Sequence, residues 1–259
     1  MIIKSILYPD FHHPFHDKKA LNSVIKFTKS FNPDEIVIMG DAIDMACVNR
    51  WESAKENLRH FEGRRIKQEY EKFDEDILTP LEDSVSDKCK KVYLQGNHEM
   101  WIDVVIDKNP FLEGLLELEK VLELKERGWD WIPYITKKNN GENLRGEYKM
   151  GKLTCIHGEY TTQFHTAKTV NSYDGSIVTG HLHDIQSYTK VTQNKNKSDS
   201  IGMSIGCLCN KSPLYMKGKP NKWVTAFAVV YRDSVTGDFN IYPIIIKNGK
   251  FFFEGKLYQ

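Results

Sequence analysis

Histidine, aspartate and asparagine recur in five short motifs along the chain. These are Asp10-Phe11-His12, Gly40-Asp41-Ala42-Ile43-Asp44, Gly96-Asn97-His98-Glu99, His157-Gly158 and Gly180-His181-Leu182-His183. Four of the five follow an apolar run of strand type: Ile2–Leu7, Ile36–Met39, Val92–Leu94 and Leu153–Ile156. The fifth follows Ser176–Thr179, a shorter and weaker strand signal. Strands that each end in a metal-binding side chain bring distant residues to one edge of a sheet, where open α/β folds bind their ligands. Mixed nitrogen and oxygen donors suit a hard-to-borderline divalent transition metal. There are enough donors for two cations sharing one carboxylate, an arrangement able to split phosphate esters.

Within the motifs the residue types suggest separate tasks. Asp10 and His12 reach one point only if the strand breaks between them and the following His13-Pro14, which that sequence implies. Asp41 carries two oxygens and can bridge two cations, and Gly40 before it lets the backbone approach an ion closely. Asp44 suits a carboxylate that orients an imidazole. Taken singly, either aspartate is more simply a helix N-cap. Asn97 offers a neutral amide oxygen. His98 is better placed to protonate a departing ester oxygen than to bind metal. Glu99 reads as a charge facing a helix N-terminus. His181 and His183 share one face of an extended segment and make a natural chelate. His157-Gly158 says little alone. His13, His16, His60 and His165 lack such context and read as structural or surface residues.

The elements that must position these motifs are legible as periodic runs. Ile2–Tyr8 reads as a buried strand and Lys18–Phe31 as an amphipathic helix through Leu21, Val24, Ile25 and Thr28. Glu35–Met39 is a second buried strand, and strand–helix–strand implies parallel pairing. Ile66, Tyr70, Phe73, Ile77 and Leu81, at steps of three and four, predict one helix with one buried stripe within Gly63–Leu81. A second helix is expected over Phe111–Glu126. From Asp130 onward the texture is β-rich: Trp131–Ile135, Leu153–Ile156, Ser187–Val191, Gly202–Ile205, Val224–Tyr231, Phe239–Ile246 and Phe251–Phe253. Turn signals fall at Asn139-Asn140-Gly141, Thr236-Gly237-Asp238 and Asn248-Gly249-Lys250, the last of hairpin type. Thr161–Asn171 is the one helix expected in this half, and Gln193–Ser200 reads as a mobile loop. The expectation is one domain over residues 1–259, with helical insertions at about 47–90 and 99–130 and a β-rich part at 185–259.

Composition narrows the class. With 259 residues, 40% hydrophobic and 27% charged, the chain is ordinary for a globular protein with a large core. No apolar run approaches the roughly 20 residues of a membrane span. The N-terminal MIIKSILYPDFHH runs straight from strand into motif without signal-peptide character, so a cytoplasmic protein with no membrane partner is expected. The five cysteines match neither a disulfide framework nor a thiolate zinc site, and suggest a reducing compartment. Cys207 and Cys209 share a strand face and read as a buried pair of small side chains. Net charge is +1 but uneven, at −7 over residues 1–131 (19 Lys+Arg against 26 Asp+Glu) and +8 over 132–259 (17 against 9). Seven lysines between Lys190 and Lys222 face only Asp199; such a patch either attracts an anionic substrate or is plain solvated loop.

Together the five motifs, in this order, resemble the complete signature of the calcineurin-like metallophosphoesterases. The resemblance spans residues 10–183. It implies a four-layer α/β/β/α sandwich with two metals at the strand ends. Asp10, His12 and His183 would hold one metal, and Asn97, His157 and His181 the other, with Asp41 bridging. His98 would be the general acid, supported by Asp44. Metals about 3.5–4 Å apart would hold a hydroxide that attacks phosphorus in line while His98 meets the departing oxygen. Manganese is the first expectation; iron, zinc, nickel and cobalt tolerate the same donors.

Departures from better-known branches narrow the activity. Met45-Ala46 follows Asp44, where the phosphoprotein phosphatases typically carry Arg-Gly, so protein dephosphorylation loses ground. Arg50, Arg64 or Arg65 would have to supply a phosphate clamp, though all three read more simply as surface residues. The expectation is a phosphoesterase leaning towards phosphodiesters. A nuclease acting on DNA or RNA and a phosphomonoesterase are the alternatives. Tyr188, Tyr215 and Trp223 near the lysines favour nucleic acid as a partner; near-zero net charge and the acidic N-terminal half oppose it. A non-catalytic scaffold would be expected to have lost donors, and a structural zinc site to favour thiolates.

Overall fold

Alternating apolar strands and amphipathic helices build a parallel sheet whose strands all stop on one side. A computed structural model of the chain describes residues 1–48, 65–137, 141–194, 198–212 and 216–259. Strands β1 (Ile2–Tyr8), β2 (Glu35–Ile38), β3 (Lys90–Leu94) and β4 (Trp129–Ile132) run parallel, pairing Ile6 with Ile36, Val37 with Val92 and Tyr93 with Trp131. Beyond β1, β12 (Ala226–Asp233) and β13 (Phe239–Ile245) add antiparallel, giving the order β13-β12-β1-β2-β3-β4.

A second sheet contains β7 (Tyr148–Met150), β8 (Leu153–Ile156), β9 (Ser176–Thr179), β10 (Ile185–Lys190) and β11 (Ser200–Ile205). Its order is β10-β11-β9-β8-β7, with β8, β9 and β11 parallel. Two short hairpins complete the strands: β5 (Ile135–Lys137) with β6 (Asn143–Arg145), and β14 (Phe251–Phe253) with β15 (Lys256–Tyr258).

Strand alternation sends successive side chains to opposite faces. Leu7, Val37, Met39, Val92, Leu94, Ala228 and Val230 meet Met150, Leu153, Cys155, Val178 and Ile205 of the second sheet in one dry cluster. Their neighbours Ile6, Tyr8, Ile36, Ile38, Tyr93 and Phe227 face the other way, into a larger cluster under the helices. On the far side of the second sheet a helix over His165–Tyr173 packs along β9, β10 and β11. The result is helix, sheet, sheet, helix, the four-layer α/β/β/α sandwich expected.

Helix α1 (Lys18–Phe31) begins where the Asp17 carboxylate accepts from the backbone N–H groups of Lys19 and Ala20. It ends at Asn32, whose φ of 48° closes the last turn. Its stripe buries Leu21, Val24 and Phe27, while Ile25 is half-buried. The helical stripe expected through Leu81 forms as α2 (Ile66–Phe73), a π-helical turn over Asp74–Leu78, and α3 (Thr79–Glu82). Tyr70, Phe73, Ile77 and Leu81 are buried along it. Pro80 explains the wide turn, because its ring would crowd the carbonyl four residues back in a regular helix.

The helix expected over Phe111–Glu126 does not form. Instead Met100–Lys108 is helical (α4), and Asn109 leaves the helical region ahead of Pro110. Pro110–Leu112 is a single tight turn, Gly114 stands at φ +85°, and only Leu118–Val121 (α5) is helical after it. The last helix, α6, is His165–Tyr173 rather than Thr161–Asn171. Asn248 and Gly249, at φ 53° and 73°, make the expected hairpin turn between Lys247 and Lys250. The turn signal at Asn139-Asn140, with Arg50, His60, Gly63, Arg64, Lys195, Lys197 and Tyr215, lies outside the described residues. So does part of the expected loop Gln193–Ser200. Among the described residues no helix is long and apolar enough to cross a membrane.

The C-terminal hairpin closes over α1. Phe27 is fully buried among Phe227, Phe251, Phe253 and Tyr258, with ring centroids 5.0–5.5 Å away. Phe27→Ala is expected to cost about 3–5 kcal/mol, read from the urea unfolding midpoint. A loss below about 1 kcal/mol would show that this hairpin does not seal the core.

Candidate metal centre

Parallel pairing puts the C-terminal ends of β1, β2 and β3 side by side, and likewise those of β8 and β9. The five motifs begin one or two residues beyond those ends. There the backbone leaves the extended region sharply. Asp10 (φ 40°), His12 (48°), Asp41 (49°), His181 (70°) and His183 (63°) all stand in the left-handed region. Such a conformation costs a non-glycine residue about 1–3 kcal/mol and persists only where the surroundings impose it. Five of the seven expected donors sit in it.

The seven donors meet in two groups. In the first, Asp10, His12 and His183 offer donor atoms within 4.8 Å of one another. His183 Nε2 is 3.1 Å from His12 Nε2 and 3.3 Å from Asp10 Oδ1. In the second, Asp41, His157 and His181 do the same, and Asn97 Oδ1 lies 3.1 Å from His157 Nε2. Asp41 stands between them. Its Oδ2 is 3.2 Å from His157 Nε2, 3.8 Å from His12 Nε2 and 3.9 Å from His98 Nε2.

Hydrogen bonds behind the donors orient them. His157 Nδ1 is 2.8 Å from the Met39 carbonyl and His12 Nδ1 is 3.0 Å from Asp44 Oδ1, so each turns Nε2 into the centre. The Asp10 carboxylate accepts from the His181 N–H at 3.0 Å. A Cβ on Gly180 would come within 2.3 Å of that carboxylate, and one on Gly96 within 2.2 Å of the Asp41 amide and carboxylate. Both glycines let a carboxylate lie flat on backbone. Gly40, expected to admit an ion, instead makes room for His157, whose Nδ1 a Cβ would meet at 2.6 Å.

Asp44 was expected to orient His98. Its carboxylate serves His12 first; His98 Nδ1 donates to the Asp44 backbone carbonyl at 2.8 Å and lies 3.5 Å from the carboxylate. One residue therefore positions two imidazoles. His98 also donates its backbone N–H to Asp41 Oδ1 at 2.9 Å, and its ring packs on Trp101 at 4.1 Å.

Glu99 is the largest departure from expectation. It is 1% exposed and makes no side-chain cap on α4. Its carboxylate accepts from the N–H groups of Asp41, Ala42, Ile43 and Gly96 and from the Tyr93 hydroxyl, at 2.7–3.2 Å. It clamps the loop that carries Asp41 to the loop that carries Asn97 and His98.

Electrostatics describe a site starved of positive charge. Burial opposes charge on His12, yet the Asp44 hydrogen bond and the carboxylates of Asp41, Asp44 and Asp10 raise it to about 10. Burial likewise opposes charge on His157, and Asp41 overrides it, raising it to about 9. Burial pushes the Asp41 carboxyl up, but His157, His98 and His12 hold it well below the usual range. Burial and the neighbouring His157 lower His181 to about 4, and burial lowers His98 despite Asp41. Three buried carboxylates and converging imidazole nitrogens call for cations. The donor set, neutral imidazoles, carboxylates and an amide oxygen, fits divalent transition metals.

The remaining described histidines lie elsewhere. His13 and His16 are buried and stacked, with centroids 5.3 Å apart, and His13 Nε2 is 3.0 Å from Asp76 Oδ2 on the π turn. His165 Nε2 pairs with Asp184 Oδ1 at 2.9 Å. Arg65 is exposed at the start of α2.

The family model for calcineurin-like phosphoesterases matches residues 5–204. Gene 54 proteins of Mycobacterium phages L5 and D29 are 26% and 25% identical over 98% of each chain. Among solved structures, a zinc complex of Vps29 from Entamoeba histolytica is 13% identical, covers 98% of this chain and 96% of its own, and has a TM-score of 0.44. Vacuolar protein sorting 29 from Cryptosporidium parvum is 11% identical, covers 99% and 94%, and has a TM-score of 0.43. The chain belongs to the calcineurin-like phosphoesterase family and is a metal-dependent phosphoric ester hydrolase.

The Glu99 clamp yields a direct test. Glu99→Gln puts an amide N–H₂ against backbone donors, so stability is expected to fall by about 1–3 kcal/mol. Manganese affinity is expected to fall at least tenfold, read by calorimetry on the folded variant. Unchanged affinity and an unchanged unfolding midpoint would reject the clamp.

Proposed function

We propose that this phosphoesterase uses two divalent cations on either side of Asp41 to hydrolyse phosphodiesters. The supporting observation is the place of Asp41: its Oδ2 lies within 4 Å of imidazoles from both donor groups. Asp10, His12 and His183 would hold one cation, Asn97, His157 and His181 the other, with the Asp41 carboxylate common to both. Manganese is the expected pair, with iron, zinc, nickel or cobalt fitting the same donors. When bound, the cations supply Lewis acidity to the phosphoryl oxygens and lower the pKa of water.

The protein's own residues supply the rest. The left-handed turns at Asp10, His12, Asp41, His181 and His183 fix the donors before substrate arrives, so no reorganisation is needed at the moment of reaction. His98 is the general acid. The Asp44 carbonyl holds its Nδ1 proton and leaves Nε2 to face the leaving oxygen. Burial lowers its pKa in the free protein, and the negative charge of a bound phosphate ester draws a proton back onto it. Trp101, packed on the His98 ring, keeps it from swinging away.

A diester carries one negative charge where a monoester carries up to two, so it needs less added cation. Met45-Ala46, in place of an arginine, accords with that smaller demand. A second reading, a nuclease, draws support from Trp223, whose ring lies 4.3 Å from the His183 ring beside the lysine-rich segment 211–222. That ring offers a face for a base to stack on. A reducing, cytoplasmic setting suits a chain with no disulfide among the described residues.

Chelation followed by Mn²⁺ is expected to abolish and then restore hydrolysis of a chromogenic diester, with the monoester slower. His98→Ala is expected to lower kcat by about 10²–10⁴ while leaving bound manganese unchanged. Full turnover in that variant would remove His98 as the acid, and a faster monoester would remove the diester assignment. For the nuclease reading, cleavage of single-stranded DNA should fall with rising salt while the small diester is unaffected. Loss of both in parallel would count against nucleic acid as the substrate.

A further inference from the structure

Two thiols that the reaction does not use lie against the candidate centre. Cys207 and Cys209 follow β11, with the fully buried Leu208 between them in the helix-side core. Both are under 2% exposed, and both are free. Their Sγ atoms and a ring nitrogen of His183 lie within 4.8 Å of one another. The His183 ring turns Nε2 towards Asp10 and His12, and its Nδ1 is buried with no hydrogen-bond partner.

Backbone bonds fix this trio in place. Cys207 N–H donates to the Val224 carbonyl at 2.9 Å, and Ala226 N–H to the Cys207 carbonyl at 3.0 Å. Leu208 N–H donates to the Pro9 and Asp10 carbonyls at 3.1 Å, tying the cysteines to the loop that carries Asp10. The Val224 N–H donates to the His183 carbonyl at 2.7 Å, completing a closed frame. Simple packing accounts for two small buried side chains. The Cys207 thiol also reaches the Cys209 carbonyl at 4.0 Å, but neither that bond nor packing accounts for a buried His183 Nδ1 left without a hydrogen-bond partner on a ring beside two sulfurs.

We propose that His183, Cys207 and Cys209 form a third cation site, selective for a soft or borderline ion of the zinc or cadmium class. Zinc takes sulfur at about 2.3 Å and imidazole nitrogen at about 2.0–2.1 Å, so donors on either side of one ion stand up to about 4.6 Å apart. The three donors are close enough to close on such an ion with small side-chain shifts. Each thiol gives its proton to solvent as the ion binds, and His183 gives up its Nδ1 proton as well where its Nε2 serves the neighbouring cation. Thiolates disfavour manganese and magnesium, so this site discriminates by donor softness against the ions that suit the carboxylate-rich groups beside it. It rests on the metal centre proposed above only in sharing the His183 ring, and the two readings can fail separately.

Titration of the metal-free full-length protein with Co²⁺ tests this. The wild type is expected to show visible d–d bands from the nitrogen and oxygen donors, together with near-ultraviolet thiolate-to-cobalt charge-transfer absorption. In Cys207→Ser/Cys209→Ser the near-ultraviolet absorption is expected to fall at least tenfold, with the visible bands retained. Visible bands without charge transfer in the wild type would overturn the thiolate site and leave the main centre standing. Charge transfer that persists in the double variant would also overturn it, by assigning the absorption to Cys47, Cys89 or Cys155. No cobalt absorption of either kind would overturn both readings. X-ray absorption of the zinc-loaded wild type needs no variant: sulfur in the zinc shell is expected, and a shell of nitrogen and oxygen alone would reject the site.

Discussion

The buried carboxylate of Asp41 is the constraint on which the rest of the structure turns. It is 2% exposed, and Asp10 and Asp44 are buried near it. Ionised carboxylates so far from water are costly unless cations or hydrogen bonds answer them. Around Asp41 the answer is partial. Its Oδ1 accepts from the His98 N–H, while its Oδ2 faces imidazoles that can each carry at most one further proton. The upward pull on His12 and His157 is the same shortage of positive charge expressed on the rings. Metal ions resolve it where protons would remove the very lone pairs that make histidine a ligand.

Holding such a site open requires backbone that would not otherwise stay where it is. The left-handed residues at the strand ends are opposed by local sterics and maintained by bonds from elsewhere. Glu99 is central here. From the loop after β3 it reaches the amides of Asp41, Ala42 and Ile43 in the loop after β2. The loop after β1 is tied in by His12 N–H to the Asp41 carbonyl and His13 N–H to the Ala42 carbonyl. Three adjacent parallel strands thus deliver their donors as one rigid unit. The second sheet adds His157, His181 and His183 through the Asp10 carboxylate and the Met39 carbonyl.

Much of this was legible in the chain itself, and the reasons are local. Each motif couples a strand-forming run to donor types at its end, so period-two strands and ligand chemistry point to the same edge. Lys18–Phe31 reads correctly because its apolar positions fall on one stripe, and in the structure Asp17 caps the same helix. Asn248-Gly249 reads correctly because both residues tolerate positive φ. What stayed hidden depends on contacts across long sequence separations. Glu99 accepts from partners 56–58 residues away, and those donors are backbone amides that leave no mark on residue type. The contact between His183 and the cysteine pair likewise crosses from one loop of the second sheet to another. Met100–Lys108 lacks the clean stripe of α1, and the helix expected over Phe111–Glu126 fails at Pro110 and Gly114, where backbone restriction and freedom outweigh side-chain periodicity.

The most direct measurement is anomalous diffraction from crystals of the manganese-loaded protein. The account calls for two manganese peaks flanking the Asp41 carboxylate, one in contact with His183 and the other with His157. A single peak, or peaks that leave Asp41 without a metal neighbour, would contradict it.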